Sequence, residues 1–281
     1  MKEFSPGPVE NHRGREAGAV VYPVYSRRSK GLSVGINLFP DRKVCSFDCP
    51  YCEVFPFQTD LRFSLPVMEE ALRGILAEAA ERGIPLRDIC FSGNGEPSLS
   101  PDFREALEAA GRIRERFVPE AALVIITNGT GLLNDKTFAL MKEAALGAMK
   151  LDIWLKLDAG SPAWYEAIDR SAIPFDALIG SIRKFVPLAP VTLQTMICAV
   201  QGREPPAEEE AAWVRLAAEL AGSGGSGPGR GPGVQAVQIY GKARPAPEDP
   251  LAEALPQAVL EKRAAALRAA IGTSIPIEVF P

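Results

Sequence analysis

The chain has 281 residues, 47% hydrophobic, 23% charged and 7% aromatic, with 31 Lys and Arg against 35 Asp and Glu for a formal charge of −4. A chain of about 300 residues buries roughly three quarters of its unfolded surface, so its core needs no disulfide or structural metal as a prop. No stretch approaches the about 20 apolar residues of a membrane span, and the charged start Met-Lys-Glu-Phe-Ser-Pro lacks the apolar core of a signal peptide, so the cytoplasm is the expected compartment. Five Cys against one His exclude most His-dependent catalysis, and closely spaced cysteines in a reducing compartment suggest metal or redox work before disulfides. Residues 1–45 hold eight Lys or Arg and four Asp or Glu, net +4, which leaves −8 for the remainder. A phosphate or nucleic-acid contact is one reading of that asymmetry and a solvated face the other.

In chain order, Gly31 to Phe39 reads as a strand that runs into a cysteine loop. From Val67 to Gly83 the apolar positions Ala71, Leu72, Ile75, Leu76, Ala79 and Ala80 recur at helical spacing, and Gly83 closes the segment. Asp88 to Ser92 is a short β-type run. Ser100 and Pro101 then signal an N-cap with proline at the first helical position, and the helix buries Phe103, Leu107, Ala110 and Phe117. Leu123 to Thr127 is an apolar strand, and Asp135 to Leu146 a third helix.

Asp152 to Asp158 alternates so that Asp152, Trp154, Lys156 and Asp158 share one face and Ile153, Leu155 and Leu157 the other; a polar face on a buried strand suggests a lined cavity. Helices follow at Phe175–Val186, Ala207–Ala221 and Gln257–Ile271, with strands at Val191–Val200 and Val234–Tyr240 and an extended end at Ile275–Phe280. Residues 222–233, rich in Gly, Ser and Pro, read as a mobile surface insertion without a phosphate-loop ending. Six βα units predict an α/β fold of parallel strands, an incomplete barrel or curved open sheet, with ligands at the C-terminal strand ends. The expected organisation is a tail over residues 1–14, one domain over 15–245, and a C-terminal helix and extended tail over 246–281.

The strongest motif is Cys45-Ser-Phe-Asp-Cys49-Pro-Tyr-Cys52. Three thiolates within eight residues can converge on one side of an iron–sulfur cubane and leave one iron open to a small chelating ligand. A zinc site would need a fourth ligand from Cys90, Cys198 or His12. Cys90 and Cys198 lie inside apolar strands, where cysteine ordinarily packs as a small hydrophobe.

Cys45-x3-Cys49-x2-Cys52, with Tyr51 before the third cysteine, resembles the signature of the radical S-adenosylmethionine (radical SAM) superfamily. The context from Gly35-Ile-Asn-Leu-Phe-Pro to Glu53 is similar to its wyosine-synthetase-like iron–sulfur subgroup. The resemblance covers about residues 15–245. It implies a partial (βα)6 TIM-like barrel with outer helices, a [4Fe-4S] cluster on Cys45, Cys49 and Cys52, and S-adenosyl-L-methionine chelated to the open iron.

The resemblance extends to the loops after the later strands. Gly93-Asn94-Gly95-Glu96-Pro97 is similar to the family's Gly-Gly-Glu-Pro segment, with Asn94 inserted, and Glu96 suits a charge-assisted bond from the methionine ammonium. A tight turn accounts for the segment equally well. Thr127 and Asn128 can hydrogen-bond the ligand or shape the turn. Lys156 and Asp158 suit its ribose or methionine part, or pair with each other. Tyr51 suits the adenine or the barrel wall, and Gln194 points inward.

Lys242 and Arg244, after the sixth strand, read as solvated charges or as an anion contact. The implied activity is reductive cleavage of S-adenosylmethionine and hydrogen abstraction from an unassigned substrate. The implied partner is a small low-potential donor of flavodoxin or ferredoxin type, with no membrane and no strong nucleic-acid footprint. Activation of a partner protein, tRNA modification and a noncatalytic iron–sulfur or zinc protein are the alternatives.

Overall fold

The protein is described from a computed structural model over residues 18–224, 231–272 and 274–281. The expected tail over 1–14, His12 and residues 225–230 of the Gly-rich insertion lie outside the described residues. Two compact units are present. One takes in residues 18–45, Pro56–Ile126 and Gly147–Asp152, and the other Ser46–Phe55, Thr127–Leu146 and Ile153–Pro281.

In the first unit, β1 (Val21–Ser26) pairs antiparallel with β2 (Gly31–Ile36), and β2, β3 (Leu86–Phe91) and β4 (Ala122–Thr127) pair in parallel. Parallel neighbours need long crossovers, which helices α1 (Leu65–Glu81) and α2 (Phe103–Phe117) supply. The last five residues of β2 and the last four of β3 are all buried, as strands covered on both faces must be. Helix α1 buries Met68, Leu72, Leu76 and Ala79 along one stripe.

Helix α2 begins later than the Ser100-Pro101 signal implies. The Ser100 hydroxyl accepts from the Asp102 N–H at 3.2 Å and its carbonyl from the Phe103 N–H at 3.2 Å, so Pro101 sits in the turn before the helix. Phe117, expected in the core, is half-buried at the end of α2, with the Arg116 guanidinium 5.3 Å from its ring centre.

In the second unit, β5 (Leu151–Lys156), β6 (Pro190–Val200) and β7 (Gly233–Gly241) pair in parallel. Short β8 (Ala252–Ala254) pairs antiparallel with the end of β6, and β9 (Ile277–Phe280) pairs parallel with β7. Helices α3 (Asp135–Leu146), α4 (Pro162–Ile168), α5 (Phe175–Phe185), α6 (Ala207–Gly222) and α7 (Gln257–Ile271) complete the unit. The six predicted strands are β2 to β7, and every described pair among them is parallel. The predicted α/β class therefore holds. Among the described strands and α-helices, three escaped the sequence reading: β1, α4 and β8. No helix among the described residues is long and apolar enough to cross a membrane.

Candidate metal and cofactor site

In the first unit the loops after β2 and β3 are stitched together. The side-chain oxygen of Asn37 accepts from the Phe39 and Asn94 N–H groups, each at 3.1 Å, and the Asn94 amide nitrogen donates to the Phe39 carbonyl at 3.1 Å. Val44, the residue before Cys45, donates its N–H to the Asn94 carbonyl at 2.9 Å and accepts from the Glu96 N–H at 2.8 Å. Asn94, the residue that departs from the family segment, thus has a structural task of its own.

A side chain at Gly95 (φ +150°) would put its Cβ 1.8 Å from the Val44 carbonyl oxygen; one at Gly93 (φ +132°) would sit 2.8 Å from the Asn37 side-chain oxygen. Both positions therefore require glycine. Glu96 is buried, and its carboxylate accepts from the N–H and hydroxyl of Ser98, capping the 3-10 turn Pro97–Leu99. Turn-making and ligand contact are both compatible with that placement, because a carboxylate has capacity for several donors.

The cysteine loop passes from Cys45 in the first unit to Ser46 in the second. All five cysteines are free thiols, but only Cys45, Cys49 and Cys52 are partly exposed. Cys90 and Cys198 are buried in β3 and β6, where burial pushes the Cys90 thiol well up and the Cys198 thiol up to about 12. The donor set fits the iron–sulfur expectation: three accessible soft ligands on an irregular loop, closed by a turn in which the Cys52 N–H donates to the Cys49 carbonyl at 3.0 Å. Among the described residues, no three His, Cys, Asp or Glu side chains lie close enough to share a single ion. A cubane asks something else of three thiolates, one for each of three irons.

The rest of the loop is anchored within the second unit. Phe47 is buried and meets Tyr165 of α4 edge-on, with centroids 5.6 Å apart, and Tyr165 packs on Phe175 of α5 at 5.5 Å. The Asp48 N–H donates to the Asp169 carbonyl at 2.9 Å, and the Cys49 thiol faces the Asp169 carboxylate at 3.8 Å. Burial, then Asp169, hold the Cys49 thiol well above its usual range, while burial and then Asp158 do the same for the Asp169 carboxyl.

Tyr51, Lys156 and Asp158 come together. The Tyr51 hydroxyl donates to Asp158, the Lys156 ammonium lies 2.8 Å from the same carboxylate, and it donates to the Tyr240 hydroxyl at 2.7 Å. The ammonium also sits 4.8 Å from the centre of the Tyr51 ring and 5.4 Å from that of Tyr240. Burial works against the Lys156 charge, but Asp158 and then Tyr240 outweigh it and hold the pKa above its usual range. The Gln194 amide donates to the Gln238 side chain at 2.6 Å, and both residues are buried.

Thr127 and Asn128 occupy the turn after β4. The Thr127 hydroxyl accepts from the Gly129 N–H at 3.1 Å, and the Asn128 amide nitrogen donates to the Ser46 hydroxyl of the cysteine loop at 3.0 Å. The solvated reading of Lys242 and Arg244 is corrected. Lys242 pairs with Asp249 at 2.7 Å and Arg244 with Glu53 at 3.2 Å, and both basic side chains are largely buried. Each cation finds its carboxylate inside the chain.

Asp169 and Tyr240 were missed. Tyr240 carried a signal, since it shares the β7 face of Gln238 at a period of two, whereas Asp169 caps a helix too short to show a period.

A family model described as the radical SAM superfamily matches residues 42–196, more than half of the chain, from just before Cys45 to beyond Asp158 and Gln194. The chain belongs to the radical SAM superfamily. Among solved structures, a radical SAM methyltransferase from Sphaerobacter thermophilus is 18% identical, with a TM-score of 0.61 over 92% of this chain and 69% of that one. Archaeal TYW1 is 12% identical, with a TM-score of 0.50 over 85% of this chain and 72% of that one. At those identities the likeness shows the fold alone.

The radical SAM chain also resembles curated UPF0026 proteins. It is 28% identical to one from Helicobacter pylori over 46% of this chain and 41% of that protein, and 30% identical to one from Synechocystis sp. over 64% of each. It thus spans less than two thirds of the length of the curated relatives it matches.

Proposed function

We propose that this chain is a radical SAM enzyme. Cys45, Cys49 and Cys52 would hold a [4Fe-4S] cluster and present its open iron to S-adenosyl-L-methionine. The cluster, when bound and reduced, supplies the electron that breaks a carbon–sulfur bond of S-adenosylmethionine and so gives hydrogen-atom abstraction from a substrate. One observation carries the reading: the three accessible thiols sit on a loop whose backbone, at Val44, is hydrogen-bonded on both sides of Gly95.

In that reading Glu96 would accept a bond from the ligand's ammonium group, and Gly95 lets the backbones at Val44 and Gly95 touch. Tyr51 and the Lys156–Asp158 pair form one polar wall. The electron comes from a small low-potential protein of flavodoxin or ferredoxin type. Lys156 and Asp158, at the end of β5, would give a bound molecule polar partners at a strand end, where α/β folds bind their ligands.

The test is anaerobic reconstitution with iron and sulfide, followed by dithionite and S-adenosylmethionine. Formation of 5′-deoxyadenosine, with about four irons per chain, is the expected result, and Cys49→Ala should abolish it. One zinc per chain with no iron absorbance would overturn the reading.

A further inference from the structure

Resting on the cluster reading above, we infer that Asn128, Thr130 and Ser171 are positioning residues that set the path of the cysteine loop through Ser46. Ser46 lies directly after Cys45 and three residues before Cys49, so its placement determines how the two thiols are presented.

The hydroxyl of Ser46 belongs to a closed ring of side-chain hydrogen bonds whose directions follow from donor counting. The Thr130 N–H, which can only donate, lies 3.0 Å from one side-chain atom of Asn128 and so identifies it as the oxygen. That oxygen also accepts from the Thr130 hydroxyl at 2.7 Å. With its one proton committed there, the Thr130 hydroxyl must accept from Ser46, 2.6 Å away. The Asn128 amide nitrogen then donates to the Ser46 oxygen at 3.0 Å and closes the ring. A third group completes the hold, since the Ser171 hydroxyl donates to the Ser46 carbonyl at 2.9 Å.

Two features separate this ring from ordinary turn chemistry. Asn128 and Thr130 are buried, 4% and 5% exposed, so breaking one bond leaves polar groups without water to replace it. No cysteine takes part, so the ring shapes the loop whether or not iron is bound. The side-chain oxygen of Asn128 already accepts twice within the ring, so a bond to S-adenosylmethionine, the role that the resemblance gives it, would fall to the amide nitrogen. Holding the ligands' loop is the role its geometry serves.

The experiment compares Thr130→Val, nearly isosteric but unable to complete the ring, with Thr130→Ser, which keeps the hydroxyl, and with Ser171→Ala. Each is reconstituted anaerobically beside the wild type. Iron loss to a chelator and the electron paramagnetic resonance spectrum of the dithionite-reduced cluster are recorded. Thr130→Val should lose iron about ten-fold faster, the scale of one buried hydrogen bond, with shifted g-values, and Thr130→Ser should restore both. Should Thr130→Val fail to fold, Ser171→Ala, which removes the bond to the Ser46 carbonyl, should still lose iron about three-fold faster. Wild-type lability and spectrum in both Thr130→Val and Ser171→Ala would overturn the inference alone. A wild-type chain that assembles no cluster would overturn it together with the proposed function.

Discussion

Gly95 has no room for a side chain, and this gives a different reason for the residue than its resemblance to a ligand-contacting glycine. A methyl group there would meet the Val44 carbonyl oxygen at 1.8 Å, a backbone atom that cannot swing aside, at a φ of +150° that L-residues avoid. Gly95→Ala must therefore open the bridge between Val44 and Gly95, and with it the two hydrogen bonds that seat the chain beside Cys45. We expect a loss of about 3 kcal/mol or more, read as a lower urea midpoint. Gly74, exposed in α1 with nothing within 4 Å of where a methyl group would stand, is the counterpart: Gly74→Ala should raise stability by about 0.8–1 kcal/mol. Similar midpoints for the two variants would contradict the close approach seen at Gly95. Such an approach joins residues some fifty positions apart, so the local sequence around Gly95 carries no mark of it.

At the scale of elements, period and capping were enough where a segment was long. Helices α3 and α7 begin and end where their apolar spacing and termini place them, because three or more turns repeat the stripe often enough to be read. Helix α4 spans only seven residues and repeats nothing, although Ser161 and Pro162 mark its start, with the Ser161 hydroxyl accepting from the Trp164 N–H at 3.4 Å. β1 hid behind Pro23, which an edge strand tolerates and a central one does not, while Tyr22 and Val24 alternate into the core.

Helix α7 also breaks its own pattern. Leu260, Ala264 and Leu267 form the buried stripe, and Arg263 lies on it, 2% exposed. None of its guanidinium nitrogens has a hydrogen-bond partner among the described residues; the Trp213 ring is 5.4 Å away and Glu210 4.0 Å. Burial lowers its pKa, a sign that the charge is poorly compensated. Arg263→Met keeps the contact with Trp213 and removes three unsatisfied groups, so unfolding should show stability unchanged or raised by about 1–2 kcal/mol. A loss exceeding about 1 kcal/mol would mean that Glu210 depends on the charge.

For the molecule as a whole, the bonds that shape the cysteine loop bear on what happens when a cluster is removed. In a zinc finger the metal supplies the folding free energy, and the chain unfolds without it. Here the loop is held by the Ser46 ring, by Phe47 on Tyr165, by Asp48 on Asp169 and by Val44 beside Gly95, and none of these contacts passes through a cysteine sulfur. The core of each unit likewise contains strands and helices buried without any metal ligand, as a chain of this length permits. Chelation of a reconstituted sample should therefore leave the far-ultraviolet circular dichroism unchanged. The thermal midpoint should fall, because a ligand bound only to the folded state adds RT ln(1 + [L]/Kd) to its stability and that contribution disappears with the iron. At about 2–4 °C per kcal/mol for chains of similar size, a drop of several degrees is expected. Loss of the helical signal on chelation would show instead that the cluster organises the fold, and the protein contacts around Ser46 would then be its consequence.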